Sequence, residues 1–574
     1  MVAVGVPQQL SLIKEPMNVA ELTADPGADY GEVFTRRWVV DLILDLVAYT
    51  PDRDLASLVL VEPSCGSGAF LGPIVDRLIA SATLHGRDLL SLDGAIRAFD
   101  LLDANAELAR KGICHRLHEA GAAREDAEAL ARSWVTTGDF LLKDQEPASA
   151  NFVVGNPPYI RLESVAPRVM EAYRRLWPTM RGRSDIYVGF IERGLDLLKP
   201  GGVLGYICAD RWMRNQYGAD LRALVSSSYA VETVITMHDV DAFEDDVSAY
   251  PAVVVLRNGP QGPATVIEAN GGFSKDAAAE VVTWARRPSR RILTSSTFEG
   301  SRLDHWFAGR ELWPSGTPAR LALVDDLEAR FPPLEDRRTG TRVGIGVASG
   351  CDEVYITSDA DLVESERLLP LLQAADTTTG AASWGGSYLV NPWNADGLVD
   401  LERYPRLSSY FEANAGRLRD RHVARQRPAQ WYRTIDRVDM SLLLRRKLVL
   451  PDLKAAAHPV LDDGDCYPHH NLYFVVSDAW DLEVLGGLLL SDVANLFVGA
   501  YCVKMRGGCY RFQAQYLRRI RVPAVDSVPR SSAKRLVQAF RDRDRDAASS
   551  VAAALYGLDA STLLRAVRPP GPVP

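Results

Sequence analysis

Between about residues 33 and 257, short hydrophobic runs alternate with amphipathic stretches. The runs have the length of β-strands, and the stretches repeat apolar residues at helical spacing, as at Phe70, Ile74, Val75, Leu78 and Ile79. Such alternation is typical of a mostly parallel sheet with helices on both faces. Seven strands are predicted, at 55–63, 95–102, 134–140, 151–158, 203–209, 231–237 and 249–257. The last is expected to be antiparallel, at an edge of the sheet.

The pattern changes after about residue 260, and residues 258–340 are punctuated by Gly, Pro and Arg. Further along, short strands mix with loops and a basic helical region, and one more helix precedes a Pro-rich end. We predict an N-terminal arm, an α/β domain, a connector, a mixed α+β domain, and a C-terminal helix with a disordered tail, at 1–30, 31–260, 261–340, 341–525 and 526–574.

Composition excludes several classes of protein. The chain has 574 residues, too many for one core, with 47% hydrophobic and 24% charged residues, as in ordinary globular proteins. No apolar run reaches the roughly 18 residues of a membrane span, and the N-terminus does not resemble a signal peptide. A cytoplasmic protein without membrane contact is predicted.

The seven cysteines do not form a disulfide framework, and free thiols are expected. Cys466 lies near His469 and His470, while Cys502 and Cys509 lie seven positions apart. A zinc site there is conceivable, but no CxxC pair supports it. The sequence analysis therefore predicts no metal site.

The first chemical motif is "LVLVEPSCGSGAFL". It places Glu62 at the end of a strand and a Gly-rich turn, 64–68, before a helix. Glycines let the backbone approach a ligand, and the helix N-terminus offers free N–H groups. This arrangement suits a nucleotide-type ligand, although a Gly-rich turn alone is a weak signal.

Two further acids end the next two predicted strands. Asp100 can accept both hydroxyls of a ribose. Asp139 can accept from the exocyclic amine of an adenine, and the neighbouring Phe140 can cover the ring. Each acid alone is commonly a helix cap, but three acids ending three successive strands favour a ligand. An adenosine with a charged amino-acid-like end fits S-adenosylmethionine.

The fourth strand ends in Asn156-Pro157-Pro158-Tyr159. The prolines fix the corner and leave the Asn156 side-chain oxygen and the Pro157 carbonyl as acceptors. Two fixed acceptors suit an –NH2 group, which donates two hydrogen bonds, and Tyr159 offers a flat face to an aromatic base. The alternative is a structural Pro-Pro turn.

With these motifs in this order, the chain resembles the gamma-class DNA adenine-N6 methyltransferases of the TaqI/Eco57I type, over about residues 30–560. The segments that carry the resemblance are "YGEVFTRRWVVDLI", "EPSCGSGAFL", "AFD", "GDF" and "GNPPY", followed by a recognition region. The resemblance implies a Rossmann-like seven-stranded S-adenosylmethionine-dependent methyltransferase domain and a C-terminal α+β DNA target-recognition domain. It also implies a flipped target base, because N6 cannot be reached within the duplex.

The resemblance assigns roles residue by residue. Asn156, Pro157, Pro158 and Tyr159 would form the catalytic motif. Tyr159 and Phe243 would stack on the target base, although Tyr250 lies close to Phe243 in the sequence. The residues implied to bind the cofactor are Phe34, Thr35, Glu62, Ser64, Gly66, Gly68, Asp100, Asp139, Phe140 and Phe190. A core role for Phe190 is an open alternative.

The region 403–454 is basic in a chain of net charge −9, because its thirteen Arg and Lys residues face five acids. Aromatic residues lie among them, which suits contact with DNA phosphates and bases. A second basic stretch covers 503–523. A solvated helix face is the structural alternative. The residues predicted to contact DNA are Arg417, Arg419, Arg421, Arg425, Arg427, Trp431, Arg506 and Arg511.

Double-stranded DNA is thus the predicted partner. Fewer than about 35 residues precede the first motif, so a separately encoded restriction nuclease or defence component is expected rather than a fused nuclease. Cytosine N4, RNA and a release-factor glutamine are alternative methyl acceptors. A DNA-binding regulator with a catalytically dead methylase core is the alternative from another class.

Overall fold

The computed structural model describes residues 33–160, 165–244, 250–285, 291–504 and 509–567. The chain divides into two compact units, unit 1 up to Pro318 and unit 2 over Ala319–Gly571. The predicted N-terminal arm, 1–30, and the Pro-rich end, 568–574, lie outside the described residues.

Unit 1 is built on a ten-stranded sheet with the order β3-β2-β1-β4-β5-β7-β6-β8-β10-β9. Strands β1 to β5 pair in parallel with one another, and β7 is antiparallel to both β5 and β6. The strands are β1 Leu60–Glu62, β2 Ile96–Asp100, β3 Val135–Thr137, β4 Ala150–Gly155, β5 Leu198–Ala209, β6 Ala230–Thr236, β7 Pro251–Arg257, β8 Ala264–Ala269, β9 Ile292–Thr294 and β10 Phe298–Leu303.

Helices connect these strands and bury apolar stripes against the sheet. In the helix that follows β1, for example, Leu71, Ile74, Val75 and Leu78 are buried. The helices of unit 1 are α1 Arg37–Leu46, α2 Leu71–Leu84, α3 Asp103–Glu119, α4 Arg124–Trp134, α5 Pro167–Leu176, α6 Tyr187–Asp196, α7 Arg211–Arg214, α8 Ala219–Ser228 and α9 Lys275–Ala285.

The predicted α/β class is confirmed, but three details of the prediction are wrong. The sheet has ten strands rather than seven. Strand β7 is antiparallel, as predicted, yet it lies between β5 and β6 instead of at an edge. The predicted connector, 261–340, contributes β8, β9, β10 and α9 to unit 1, because β8 pairs in parallel with β6 and continues the sheet.

The fully buried Trp134 closes the core between α4 and the sheet. Its indole Nε1 donates to Asp93 O at 2.9 Å and to Leu92 O at 3.2 Å. Trp134→Phe is expected to lower the free energy of unfolding by about 1–2 kcal/mol, because it leaves the buried Leu92 carbonyl without its donor. Urea unfolding followed by circular dichroism measures this.

The matched control is Trp384→Phe. The Trp384 indole also donates to a carbonyl, Ser387 O at 2.7 Å, but the side chain is exposed, so water can replace the lost donor. Trp384→Phe is expected to lower the free energy of unfolding by less than about 0.5 kcal/mol. Equal losses in the two variants would contradict the role of the buried indole.

Unit 2 contains three small sheets, with the orders β11-β19-β15-β17, β12-β14-β13-β18 and β16-β21-β20. Its strands are β11 Arg342–Ile345, β12 Ile356–Thr357, β13 Leu368–Leu372, β14 Tyr388–Val390, β15 Lys447–Pro451, β16 Leu453–Lys454, β17 Val460–Asp462, β18 Tyr467–Pro468, β19 Leu472–Val476, β20 Val503–Lys504 and β21 Tyr510–Arg511. Its helices are α10 Pro318–Arg330, α11 Asp352–Tyr355, α12 Pro405–Ala413, α13 Ala415–Arg419, α14 His422–Gln426, α15 Met440–Leu443, α16 Leu482–Leu490, α17 Asp492–Tyr501, α18 Ala514–Leu517, α19 Arg530–Asp542, α20 Arg545–Tyr556 and α21 Ala560–Val567.

The single C-terminal helix predicted over 526–574 is wrong, because three helices, α19 to α21, cover this region. They are part of unit 2 rather than an appendage. Helices α16 and α19 approach closely: a Cβ added at Gly487 would lie 2.6 Å from the Leu536 carbonyl oxygen.

Across the described ranges, no single helix has both the length and the apolar character needed to cross a membrane. Two bent helix pairs, α16 with α17 and α20 with α21, meet the criterion only when their lengths are combined.

Candidate active site

The Gly-rich turn lies between the ends of β1 and β2. Gly66 has φ +52° and Gly68 has φ +104°, values that side chains other than glycine rarely adopt. Asp100, at the end of β2, fixes the turn because its carboxylate accepts from the Gly66 N–H at 2.8 Å and from the Leu102 N–H at 2.9 Å. Glu62, at the end of β1, is buried with one carboxylate oxygen, Oε2, lacking a hydrogen-bond partner in the part of the chain described.

Asp139 and Phe140 follow β3 and form another part of the same cavity. Asp139 accepts from the Tyr173 hydroxyl at 2.5 Å and from the Leu141 N–H at 2.8 Å. Phe140 stacks on Phe190 of α6, with ring centroids 5.3 Å apart and an interplanar angle of 29°. An aromatic pair and a carboxylate thus lie side by side.

Asn156 directly follows β4, and its side-chain amide is held in one orientation. Its Nδ2 donates to Val33 O at 2.9 Å and to Thr35 Oγ1 at 3.2 Å, while its backbone carbonyl accepts from Ser64 Oγ at 2.9 Å. Its Oδ1 is buried and has no hydrogen-bond partner among the residues described. Because Nδ2 is occupied, the side chain presents a bare acceptor.

Tyr159 and Phe243 lie next to each other, with ring centroids 6.3 Å apart and nearly perpendicular planes. The segment that carries Phe243 pairs with the N-terminal segment: Thr35 bridges to Phe243, and the Glu244 N–H donates to Phe34 O at 2.9 Å. Tyr250, the alternative aromatic residue, packs against His238 instead.

One cavity in unit 1 brings most of the predicted site residues together. The space free of atoms inside it, including its open mouth, is about 930 Å³. The predicted residues that line it are Phe34, Thr35, Glu62, Ser64, Gly66, Asp100, Asp139, Phe140, Asn156, Pro158 and Phe190. The predicted residues that are not part of the lining are Gly68, Pro157, Tyr159 and Phe243.

Several lining residues were missed by the sequence analysis. Tyr173 is the most informative, because it hydrogen-bonds Asp139 from α5, a helix that carries no motif. Only the apolar spacing of that helix could have indicated that Tyr173 faces inward. The other lining residues that the sequence analysis did not select are Val33, Pro63, Cys65, Ala69, Phe70, Leu101, Leu102, Gly138, Ile160 and Ile186.

The cavity disfavours uncompensated negative charge. Burial, together with the neighbouring Asp100 carboxylate, holds the pKa of Glu62 well above its usual range. Burial also raises the pKa of Asp139, although the Tyr173 hydroxyl opposes this. A cationic ligand that contacted Glu62 would lower its pKa again and stabilise the carboxylate. The ammonium and sulfonium groups of S-adenosylmethionine fit this requirement.

The residues predicted to contact DNA differ in their surroundings within unit 2. Arg417 pairs with Glu353 at 2.9 Å, and Arg425 with Asp420 at 3.5 Å. Arg511 pairs with Asp452 at 3.4 Å, and Arg419 lies 4.3 Å from the centre of the Trp431 ring. Arg427 is exposed at the end of α14, and Arg506 lies outside the described residues.

Two of them have packing roles within unit 2, and their contact with DNA stays a prediction. The Arg421 guanidinium donates to the backbone carbonyls of Ser349, Trp431 and Arg433, at 2.8–3.1 Å, so it has a structural role. Trp431 is buried in the core of unit 2, 8% exposed, and its ring packs against Tyr432 and the Arg419 guanidinium.

Strand-end acids, a Gly-rich turn and an aromatic slot at the carboxyl edge of a largely parallel sheet define the class of S-adenosylmethionine-dependent methyltransferases. Residues 98–243 match the Eco57I restriction-modification methylase family. The chain is 42% identical to the type II methyltransferase M.XhoI of Xanthomonas vasicola, over 92% of this chain and 97% of the relative. It is 43% identical to M.PaeR7I of Pseudomonas aeruginosa, over 92% of each chain.

Among solved structures, the type IIL restriction-modification enzyme MmeI shares the fold, with a TM-score of 0.54, 11% identity, and coverage of 92% of this chain and 72% of that one. The chain belongs to the type II DNA methyltransferases of restriction–modification systems, and the predicted family is confirmed. Its cofactor is S-adenosylmethionine and its partner is duplex DNA.

Proposed function

We propose that this enzyme methylates N6 of a flipped adenine in duplex DNA. The observation that carries this proposal is the bare, buried Oδ1 of Asn156, whose Nδ2 is already occupied by Val33 and Thr35. A buried acceptor without a donor is costly, so a substrate N–H would be bound strongly there. An exocyclic amine offers that N–H.

The proposed chemistry uses few groups of the protein. S-adenosylmethionine, when bound, supplies a methyl group on a positively charged sulfur. Asn156 Oδ1 and the Pro157 carbonyl accept the two N–H groups of the amine, which draws the nitrogen lone pair out of conjugation with the ring. Tyr159 and Phe243 hold the flipped base, and the two prolines keep the acceptors fixed without reorganisation.

The remaining cavity residues are proposed to hold the cofactor. Glu62, Ser64 and the Gly66–Gly68 turn surround its methionine part, and Phe34 and Thr35 close over it. We assign the ribose hydroxyls to Asp100. We assign the adenine ring to Asp139 and to the stacked pair Phe140 and Phe190, whose flat faces support this role.

The base and position of methylation can be tested directly. The full chain would be incubated with duplex DNA and isotope-labelled S-adenosylmethionine, and the DNA digested to nucleosides for mass spectrometry. Label in N6-methyladenosine alone is expected. Label in N4-methylcytosine would show that the target base is cytosine and not adenine. Label in RNA or protein but not in DNA would reject the proposal.

Exposed arginines of the basic region are proposed to contact DNA phosphates. Arg425→Ala with Arg427→Ala is expected to weaken duplex binding about tenfold at low salt. It should also reduce the slope of log K against log salt by about 1.8, because each lost phosphate contact removes about 0.9. Fluorescence anisotropy at several salt concentrations measures both.

The control for this pair is Arg132→Ala on α4, an exposed arginine of unit 1 that pairs with Glu128 at 3.6 Å. It should leave the slope unchanged. An unchanged slope in the double variant would show that DNA contacts a different surface of the protein. Since chromosomal DNA is the substrate, we place the activity in the cytoplasm, next to a separately encoded nuclease or defence component.

A further inference from the structure

Three potential metal ligands meet in unit 2, and none of them is part of the cavity described above. Asp352, His469 and His470 each present one ligand atom, and these atoms all lie within 4.8 Å of one another. His469 Nε2 lies 3.4 Å from Asp352 Oδ2, and the two imidazole centroids are 4.0 Å apart. No pair of these residues could be recognised from sequence spacing except the adjacent histidines.

The backbone holds the histidine turn firmly in place. His469 and His470 form the turn between β18 and β19, where the His469 N–H donates to Leu372 O at 2.9 Å and the His470 N–H to Val347 O at 3.1 Å. The two segments touch so closely that a Cβ at Gly346 would lie 2.2 Å from the His469 carbonyl oxygen. Asp352 begins the short helix α11.

His469 is a buried imidazole, 6% exposed, that lies between two polar side chains. Its ring interacts with the side chain of Asn471, and its Nε2 faces the Asp352 carboxylate. A histidine that binds a metal through one ring nitrogen is commonly oriented by a second polar group at the other nitrogen, and Asn471 is placed for that role.

We propose that Asp352, His469 and His470 bind one divalent transition-metal ion of the zinc type. Two imidazoles and a carboxylate suit Zn²⁺, whereas Mg²⁺ and Ca²⁺ prefer sites made of oxygen ligands. Three protein ligands leave a fourth position for water. The cysteines do not take part: Cys466, which the sequence places close to the histidines, is buried and lies outside this group.

The ion would tie together two segments that support the basic region. The Ser349 hydroxyl donates to Asp352, and the Ser349 carbonyl accepts from Arg421 at 3.1 Å. Glu353, next to Asp352, pairs with Arg417. A metal at this point would therefore fix the loop before α11 to the histidine turn.

The test uses the full chain, without a histidine tag, freed of metal by a chelator that is then removed. Calorimetric titration with Zn²⁺ is expected to give one equivalent bound with a dissociation constant at or below about 1 µM. The thermal midpoint of unfolding should rise with Zn²⁺ and not with Mg²⁺. Co²⁺ should give the visible absorption bands of a four-coordinate nitrogen and oxygen site.

His470→Ala and Asp352→Asn change exposed ligands and should preserve the fold, which circular dichroism verifies. Each is expected to weaken Zn²⁺ binding at least tenfold and to abolish the thermal shift. The control is His422→Ala, which removes an exposed histidine on α14. Absence of stoichiometric binding in the native chain, or equal affinity in all variants, would overturn the proposal. The Co²⁺ spectrum of the native chain decides the question even if both variants misfold.

Discussion

Asn156→Ala is expected to reduce methyl transfer by roughly 10²–10³-fold, the loss typical when one fixed hydrogen-bonding group that stabilises a transition state is removed. The variant lacks the bare Oδ1 acceptor that would draw the target amine toward the methyl donor. S-adenosylmethionine affinity should change only a few-fold. Some change is expected, because the Asn156 amide also holds Val33 and Thr35 at the cavity. Single-turnover transfer of label to duplex DNA and calorimetric binding of the cofactor measure the two effects separately.

Two variants make this result interpretable. Thr35→Val removes one partner of the Asn156 amide while leaving Oδ1 in place, so it reports the cost of loosening the N-terminal segment together with any loss of cofactor contact by Thr35. Asn105→Ala changes an asparagine of α3 outside the cavity lining and should behave as the native chain. If Asn156→Ala retained more than about a tenth of the native rate, the acceptor role would be wrong.

The carboxyl-edge site could be predicted because a parallel sheet imposes its geometry. Strand ends that follow one another along the chain must meet at one edge, so Glu62, Asp100 and Asp139 converge whatever the lengths of the intervening helices. The Gly-rich turn could also be predicted from the sequence, because Gly66 and Gly68 adopt backbone angles that residues with a side chain rarely adopt. Local rules sufficed at these positions.

Lateral order and distant contacts could not be predicted by local rules. Strand β7 lies between β5 and β6. Its sequence indicates a strand but does not indicate which strands are its neighbours. Strands β8, β9 and β10 were not predicted, because they lie in a stretch of sequence rich in Gly, Pro and Arg. Tyr173 reaches Asp139 from a helix without a motif. Each of these features depends on packing between segments that are distant in the sequence. The hydrophobic periodicity of a single sequence carries no information about such packing.

Arginine-rich composition was the least reliable guide. Arg421 and Arg427 look alike in the sequence, yet the first is bound to backbone carbonyls and the second is exposed. Trp431, interleaved with them, is a core residue. A guanidinium can donate to a buried backbone carbonyl or to a DNA phosphate. A high density of arginines in the sequence therefore does not distinguish residues with a structural role from residues that bind DNA.

Asp100→Ala is expected to weaken S-adenosylmethionine binding by about 10²-fold. Hydrogen bonds to a charged acceptor contribute about 1.5–3 kcal/mol each, and the proposed ribose contact comprises up to two. The same carboxylate accepts from the N–H groups of Gly66 and Leu102, so the variant also loosens the turn. Calorimetry gives the affinity, and the thermal midpoint of the cofactor-free protein gives the cost to the turn.

A cofactor analogue that lacks the ribose hydroxyls separates these two contributions. If Asp100 holds the ribose, the native chain should bind the analogue about as weakly as Asp100→Ala binds S-adenosylmethionine, and the substitution should add little further loss with the analogue. If Asp100 only fixes the turn, the substitution should weaken both ligands equally, which would contradict the ribose role. Asp103→Ala is the matched control, because Asp103 begins α3 three residues after Asp100, accepts from Thr137 Oγ1 at 2.9 Å and does not line the cavity. Its affinity for S-adenosylmethionine should remain within about twofold of the native value, since no contact with the ligand is removed.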